Sequence, residues 1–286
     1  MSAPDPRLTT VLTGLDFGEG PRWHADLLWF SDFYRHGVFT LDAEGLEERI
    51  WTVEGRPSGL GWMPDGTMLI VSMADRRLLR SDGDRLVTHA DLSSFSTHDC
   101  NDLVVGPDGT AYVSIFGFDL HADPPAKPRP THLVVVSPDG RVRTTDDELW
   151  FPNGAVITPD GSTLIVGESF GRRYSAYSID STGMPIGRRT WAELGDRVPD
   201  GCCLDAEGAI WFADPVNRAA TRVAEGGEVL DEITTDRSAV ACALGGPDRR
   251  TLHILTSKGT SPSRVAGTAT GRIETARVDV PGAGWP

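Results

Sequence analysis

The sequence predicts an all-β fold, a six-bladed β-propeller of four-stranded antiparallel blades, and three observations carry that prediction. The first is a repeat: a short apolar run, a Pro-Asp-Gly-like turn and a second apolar run. It recurs in PRWHADLLWFSD, GLGWMPDGTMLIVS, DLVVGPDGTAYVS, AVITPDGSTLIVG, CCLDAEGAIWFAD and ALGGPDRRTLHIL. Anchored on the last turn residue, the copies sit at Ala25, Gly66, Gly109, Gly161, Gly208 and Arg249, at intervals of 41, 43, 52, 47 and 41 residues. That spacing is the span of one propeller blade. The second is the alternation of β-branched and aromatic residues between Gly/Asp turns. The third is the lack of ten-residue helical stretches between strands, which a parallel α/β sheet requires.

Each element follows from the repeat. A blade reads as strand A, the PDG turn, strand B, a loop, strand C, a second turn and strand D. In the third copy A is NDLVVGP, B is TAYVSIF and C is HLVVVSP, with D after the second PDG at 138–140. The sixth copy is short, its third strand being the C-terminal RIETARVDV. The N-terminal LTTVLTGLD is left to supply the fourth strand, closing the ring and removing the free sheet edges. Residues 1–286 read as one domain.

Composition narrows the partners. A net charge of −14 argues against nucleic acid, whose phosphates need clustered Lys and Arg, and against anionic membranes. No run reaches 18 apolar residues, and MSAPDPRLTT has neither a basic start nor an apolar core of a signal peptide. Four cysteines, two of them adjacent at Cys202 and Cys203, read as reduced thiols in a cytoplasmic protein. The expected partner is a small molecule, and the expected state a monomer or small homo-oligomer.

Strand A runs down to the PDG turn, so its first residue lies at the opposite end, near the axis. Eight residues before the anchors stand Ser58, Asn101, Asn153, Asp200 and Ala241, with Glu19 six before Ala25 in the shortened first turn. Glu19, Asn153 and Asp200 offer two carboxylates and an amide carbonyl aimed at one axis, a hard-oxygen set suited to Ca²⁺, Mg²⁺ or Mn²⁺. The alternative is that they are ordinary turn residues beside glycine. It suits one position better than three equivalent ones.

These motifs in this order, EGPRW from Glu19, Asn101-Asp102 opening the third copy, PNG at 152–154 and PDG at 199–201, resemble the SMP-30/gluconolactonase family. The resemblance runs over nearly the whole chain and takes in ESFGRR and GGPDRRTL. It implies one divalent cation on Glu19, Asn153 and Asp200, Ca²⁺ first, with Mg²⁺, Mn²⁺ or Zn²⁺ as alternatives. It implies further that Asn101 contacts metal-bound water or substrate, that Asp200 doubles as general base, and that small lactones or esters are hydrolysed. The chemistry suits the residues: a divalent ion polarises a lactone carbonyl and acidifies water, and a neighbouring carboxylate takes the proton. Two other readings are phosphotriester cleavage on the same metal and a non-catalytic binding scaffold.

One departure concerns charge. Members of that family resemble one another in an arginine two residues before the Asn-Asp pair, where this chain has Asp99. If Asp99 points inward, the pocket carries excess negative charge and favours neutral or cationic substrates. Candidate substrate contacts are Asp99, Asn101, Asp119, Phe116 and Phe151, with Phe118 and Trp150 nearby. The loop at 117–131 carries four prolines and reads as a lid over the site. Gly167-Glu168-Ser169-Phe170-Gly171 matches the nucleophile-elbow pattern, but an alternating strand follows it, where the elbow requires a helix. His98 and His121 read as loop residues near the site.

Overall fold

The computed structural model describes residues 4–284 apart from 121 and 123–125. It contains six four-stranded antiparallel sheets. Five are formed from consecutive strands. The sixth runs in the order Thr9–Leu15, Gly271–Arg277, Thr251–Ser257, Ser238–Gly245, so the N-terminal strand completes the last blade. Thr9 lies opposite Thr275 and Leu15 opposite Gly271. The first strands of successive blades touch one another in turn, and that of blade six touches that of blade one. The ring is closed. One four-residue helix, Pro262–Val265, is the only α-helix among the described residues, and no helix there is long and apolar enough to cross a membrane.

The repeat anchor has a conformational cause. All six anchor residues take left-handed backbone angles, from φ +86° at Gly66 and Gly109 to +50° at Ala25 and +56° at Arg249. The turn between strands A and B demands that conformation, which glycine adopts freely and other residues adopt at a cost on the order of 1–3 kcal/mol. Copies one and six depart from the PDG pattern yet keep its geometry.

Burial falls from the axis outward. The inner strands Pro57–Trp62 and Cys100–Val105 are buried throughout, whereas Arg85–Asp91 on the rim of blade two buries only Ala90. Neighbouring sheets bury one face each against the next, as with Val104, Tyr112 and Val135 of blade three against Ile157, Leu164 and Tyr177 of blade four. Each fully buried aliphatic side chain contributes about 1.5–3 kcal/mol.

Near the axis the inner strands approach too closely for side chains. A Cβ on Gly20 would lie 2.7 Å from the Ser58 carbonyl oxygen, one on Gly154 2.6 Å from the Asp200 carbonyl oxygen, and one on Gly201 2.6 Å from Ala241 Cβ. The glycine after Glu19, Asn153 and Asp200 therefore serves the contact between blades. The inner strands also share a register irregularity: Glu19/Arg22, Pro57/Leu60, Cys100/Leu103, Pro152/Ala155 and Ala239/Ala241. A bulge re-aims the residue beside it. Here it lies next to Glu19, Asn101 and Asn153, while the inner strand after Asp200 has none.

Candidate active site at the top of the axis

Glu19, Asn101, Asn153 and Asp200 line one cavity of about 530 Å³ together with Phe17, Phe116, Phe151 and Ser169. Asn101 Nδ2 donates to Asn153 Oδ1 at 3.0 Å, and Asn153 Nδ2 donates to Asp200 Oδ1 at 2.5 Å. Ser58, on the equivalent position of blade two, holds its hydroxyl 3.5 Å from Asn101 Oδ1. Residues from blades one to five thus meet at the axis. Blade six contributes Ala241, whose small side chain accommodates the approach of Gly201.

The electrostatics of the two carboxylates are unfavourable as they stand. Burial, then the Asp200 and Asp102 charges, hold the Glu19 carboxyl well above its usual range. Asp200 is pushed up to about 8, chiefly by burial and by the Asp102 and Asp214 charges, against the opposing bond from Asn153. Among the described residues neither carboxylate has an Arg, Lys or His partner at ion-pairing distance. The buried Arg22 is committed elsewhere: it donates to Asp102 Oδ1 at 3.0 Å and to the Leu103 and Pro21 carbonyls.

This donor set fits a hard divalent cation. No group of three His, Cys, Asp or Glu side chains clusters among the described residues, and the further oxygen beside the two carboxylates is the Asn153 amide's. Asn153 turns Nδ2 toward Asp200. A half-turn of the amide exchanges its ends and presents Oδ1 beside the carboxylate. A 2+ charge there would remove the penalty that raises both carboxyls.

Glu168 shapes this wall. Its fully buried carboxylate accepts bonds from Arg173, Ser175, Arg188 and the Trp150 backbone N–H at 2.6–3.1 Å. Burial opposes its charge, but the bonds from Arg173, Ser175 and Trp150 outweigh that and hold the carboxyl below its usual range. Next in the chain Phe151 takes φ +59° and Pro152 opens the strand that carries Asn153. Ser169 donates its hydroxyl to the Pro199 carbonyl at 2.6 Å and accepts from Asn153 Nδ2 at 3.2 Å. The Gly167–Gly171 segment is a strand–turn–strand, so the elbow geometry is absent.

The remaining candidates divide between two pockets. Phe116 and Phe151 face the axial cavity and stack on each other, centroids 4.8 Å apart. Asp99, Asp119, His98 and Phe118 line a neighbouring pocket that shares Phe116 and Leu120 with the first. Trp150 is partly exposed and outside the cavity lining. Of the loop at 117–131, Leu120 reaches the axial cavity; His121 and residues 123–125 lie outside the described residues.

The expectation of a negative pocket is corrected. Asp99 Oδ2 accepts from Arg56 at 2.6 Å, so its charge is compensated by a loop of blade two. Instead Arg218, Lys258 and Arg264 line the axial cavity. Sequence reading missed these three and the pairing of Arg22 with Asp102, because single basic residues in loops and strands carry no motif.

Residues 17–258 match the family described as SMP-30/Gluconolactonase/LRE-like region. Pentonolactonase XacC of Haloferax volcanii is 26% identical over 87% of this chain and 84% of its own length. Gluconolactonase of Zymomonas mobilis is 26% identical over 73% and 67% respectively. A calcium-binding regucalcin of Agrobacterium tumefaciens superposes with a TM-score of 0.80 at 22% identity, covering 98% of this chain and 95% of that one. With a match across most of its length, the chain belongs to the SMP-30/gluconolactonase/LRE-like family.

Proposed function

We propose that this protein is a divalent-cation-dependent hydrolase of lactones, with Glu19, Asn153 and Asp200 holding the cation. The observation that carries the reading is the convergence of two buried carboxylates without cationic partners on one cavity, bridged by Asn153. The lactonase relatives make a cyclic ester the natural substrate class. A bound divalent cation supplies a Lewis acid that polarises the ester carbonyl and acidifies water.

The chain's own residues do the rest. Asp200 accepts the proton of the attacking water at the carboxylate oxygen and returns it to the ring oxygen as the bond opens. Asn101, on the same cavity beside Asn153, orients the substrate or the water. Phe116, Phe151 and Phe170 cover one wall and exclude bulk water. Asp99 and Asp119 flank the entry beside Leu120. The Ser169 hydroxyl, committed to the Pro199 carbonyl, needs no role as nucleophile.

The test is a panel of γ- and δ-lactones and phosphotriesters assayed before and after chelation. Lactone hydrolysis lost on chelation and restored by Ca²⁺, Mg²⁺, Mn²⁺ or Zn²⁺ is the expected result. Phosphotriester turnover alone would make the phosphotriesterase reading the better one, and a protein that binds metal but turns over neither class is a scaffold.

A further inference from the structure

We infer that the mouth of the axial cavity is a subsite for an anionic group, so that the substrate is a lactone bearing a carboxylate or a similar anion. The inference rests on the lactone reading above and adds the charge of the substrate to it.

Three cations line the cavity: Arg218 from the loop between the second and third strands of blade five, and Lys258 and Arg264 from the segment after the second strand of blade six. All three are exposed to the opening, and among the described residues none has a carboxylate at ion-pairing distance. The chain carries an excess of 14 negative charges, and several of its other arginines are spent on carboxylates. Arg56 is taken by Asp99, Arg22 by Asp102, and Arg173 and Arg188 by Glu168. Among the described residues, the only carboxylates lining this cavity are Glu19 and Asp200, which a divalent cation would cancel. Three uncompensated cations on one side of a partly enclosed cavity attract anions more strongly than the same cations on open surface.

The opposite wall gives the ligand its second feature. Phe116, Phe151 and Phe170 come from blades three and four, with Phe151 and Phe170 centroids 4.9 Å apart. A ligand spanning the cavity meets aromatic faces on one side and cations on the other. Its ester lies between, beside Asp200. An apolar ring face with an anion directed toward blades five and six satisfies both walls.

Binding and turnover separate this inference from the one beneath it. The binding probe is 5-oxopyrrolidine-2-carboxylate, a lactam that resists hydrolysis, against its carboxamide, measured by calorimetry on the metal-loaded protein. The turnover probe is 5-oxotetrahydrofuran-2-carboxylate against its carboxamide. The carboxylate should be preferred by about tenfold in Kd and in kcat/KM at low salt, with the preference shrinking as salt rises. In the Arg218→Ser/Lys258→Ser/Arg264→Ser variant the preference, read as the carboxylate-to-carboxamide ratio within that variant, should fall to within about twofold. Arg85→Ser, on the outer rim of blade two, should leave the preference as it is. Equal or tighter binding of the carboxamide overturns the inference. So does carboxylate preference retained in the triple variant, which would place the anion on the metal. Failure of both lactones to react while the lactam preference holds overturns the lactone reading and leaves the anion subsite standing.

Discussion

Asn153 donates from Nδ2 to Asp200 Oδ1 at 2.5 Å, joining blade four to blade five across the top of the axis. In Asp200→Asn the amide oxygen can still accept this bond, so the local geometry should survive while the charge disappears. Turnover should fall by about 10²–10⁴-fold from loss of the base, with weaker metal binding adding to it. With metal removed by chelation, the melting temperature should hold or rise, because a buried carboxyl pushed up to about 8 is replaced by a neutral group. Lactone turnover within threefold of the parent, measured with metal content confirmed, would remove Asp200 from the base role.

Ser169→Ala should cost less than about tenfold in kcat if water is the nucleophile. The serine hydroxyl donates to the Pro199 carbonyl, and its loss chiefly leaves that buried carbonyl short of a partner, costing about 1–3 kcal/mol of stability. Mass spectrometry of the quenched enzyme should find no acyl adduct. An adduct on Ser169 would reverse the assignment.

Glu168→Gln tests positioning. The substitution keeps the shape but removes the charge that holds Arg173 and Arg188 and weakens the acceptor for the Trp150 N–H. Breaking a buried ion pair on one side costs about 3–5 kcal/mol. With Phe151 no longer held at its left-handed φ, Asn153 should lose its placement. Metal affinity should drop about 10–100-fold, and Glu168→Asp should recover part of it. Unchanged metal affinity in a destabilised variant would confine Glu168 to a structural role.

His253 should set an acid limit on stability. Its ring is buried, stacks on Trp23 with centroids 5.6 Å apart, and leaves Nδ1 without a partner. Burial lowers its pKa from 6.5 to about 4. The unfolded chain therefore binds this proton more readily than the native one between pH 6.5 and 4, so stability declines as pH falls through that window. The full effect is about 3 kcal/mol at 1.36 kcal/mol per pH unit. In His253→Phe, denaturant midpoints compared at pH 7.5 and pH 4.5 should show a smaller acid loss than in the parent. An equal loss in both proteins would assign it to other groups.

The blade count and the four axial residues were legible in sequence because each repeats at blade spacing, and the closing strand because the sixth copy is one strand short. The PDG turn needs a left-handed residue, as φ at Ala25 and Arg249 shows even where the motif fails, and the X-Gly step marks close approach of neighbouring blades. Local chemistry alone therefore located Glu19, Asn101, Asn153 and Asp200. What only the tertiary structure decided is charge. Asp99 read as an uncompensated anion until its pairing with Arg56, 43 residues away in sequence, became visible. Arg218, Lys258 and Arg264 lie in loops without motif, and it is closure of the ring that puts them on one cavity with Asp200. Strand and turn preferences act over a few neighbouring residues, whereas the field in a pocket sums charges from every blade that borders it.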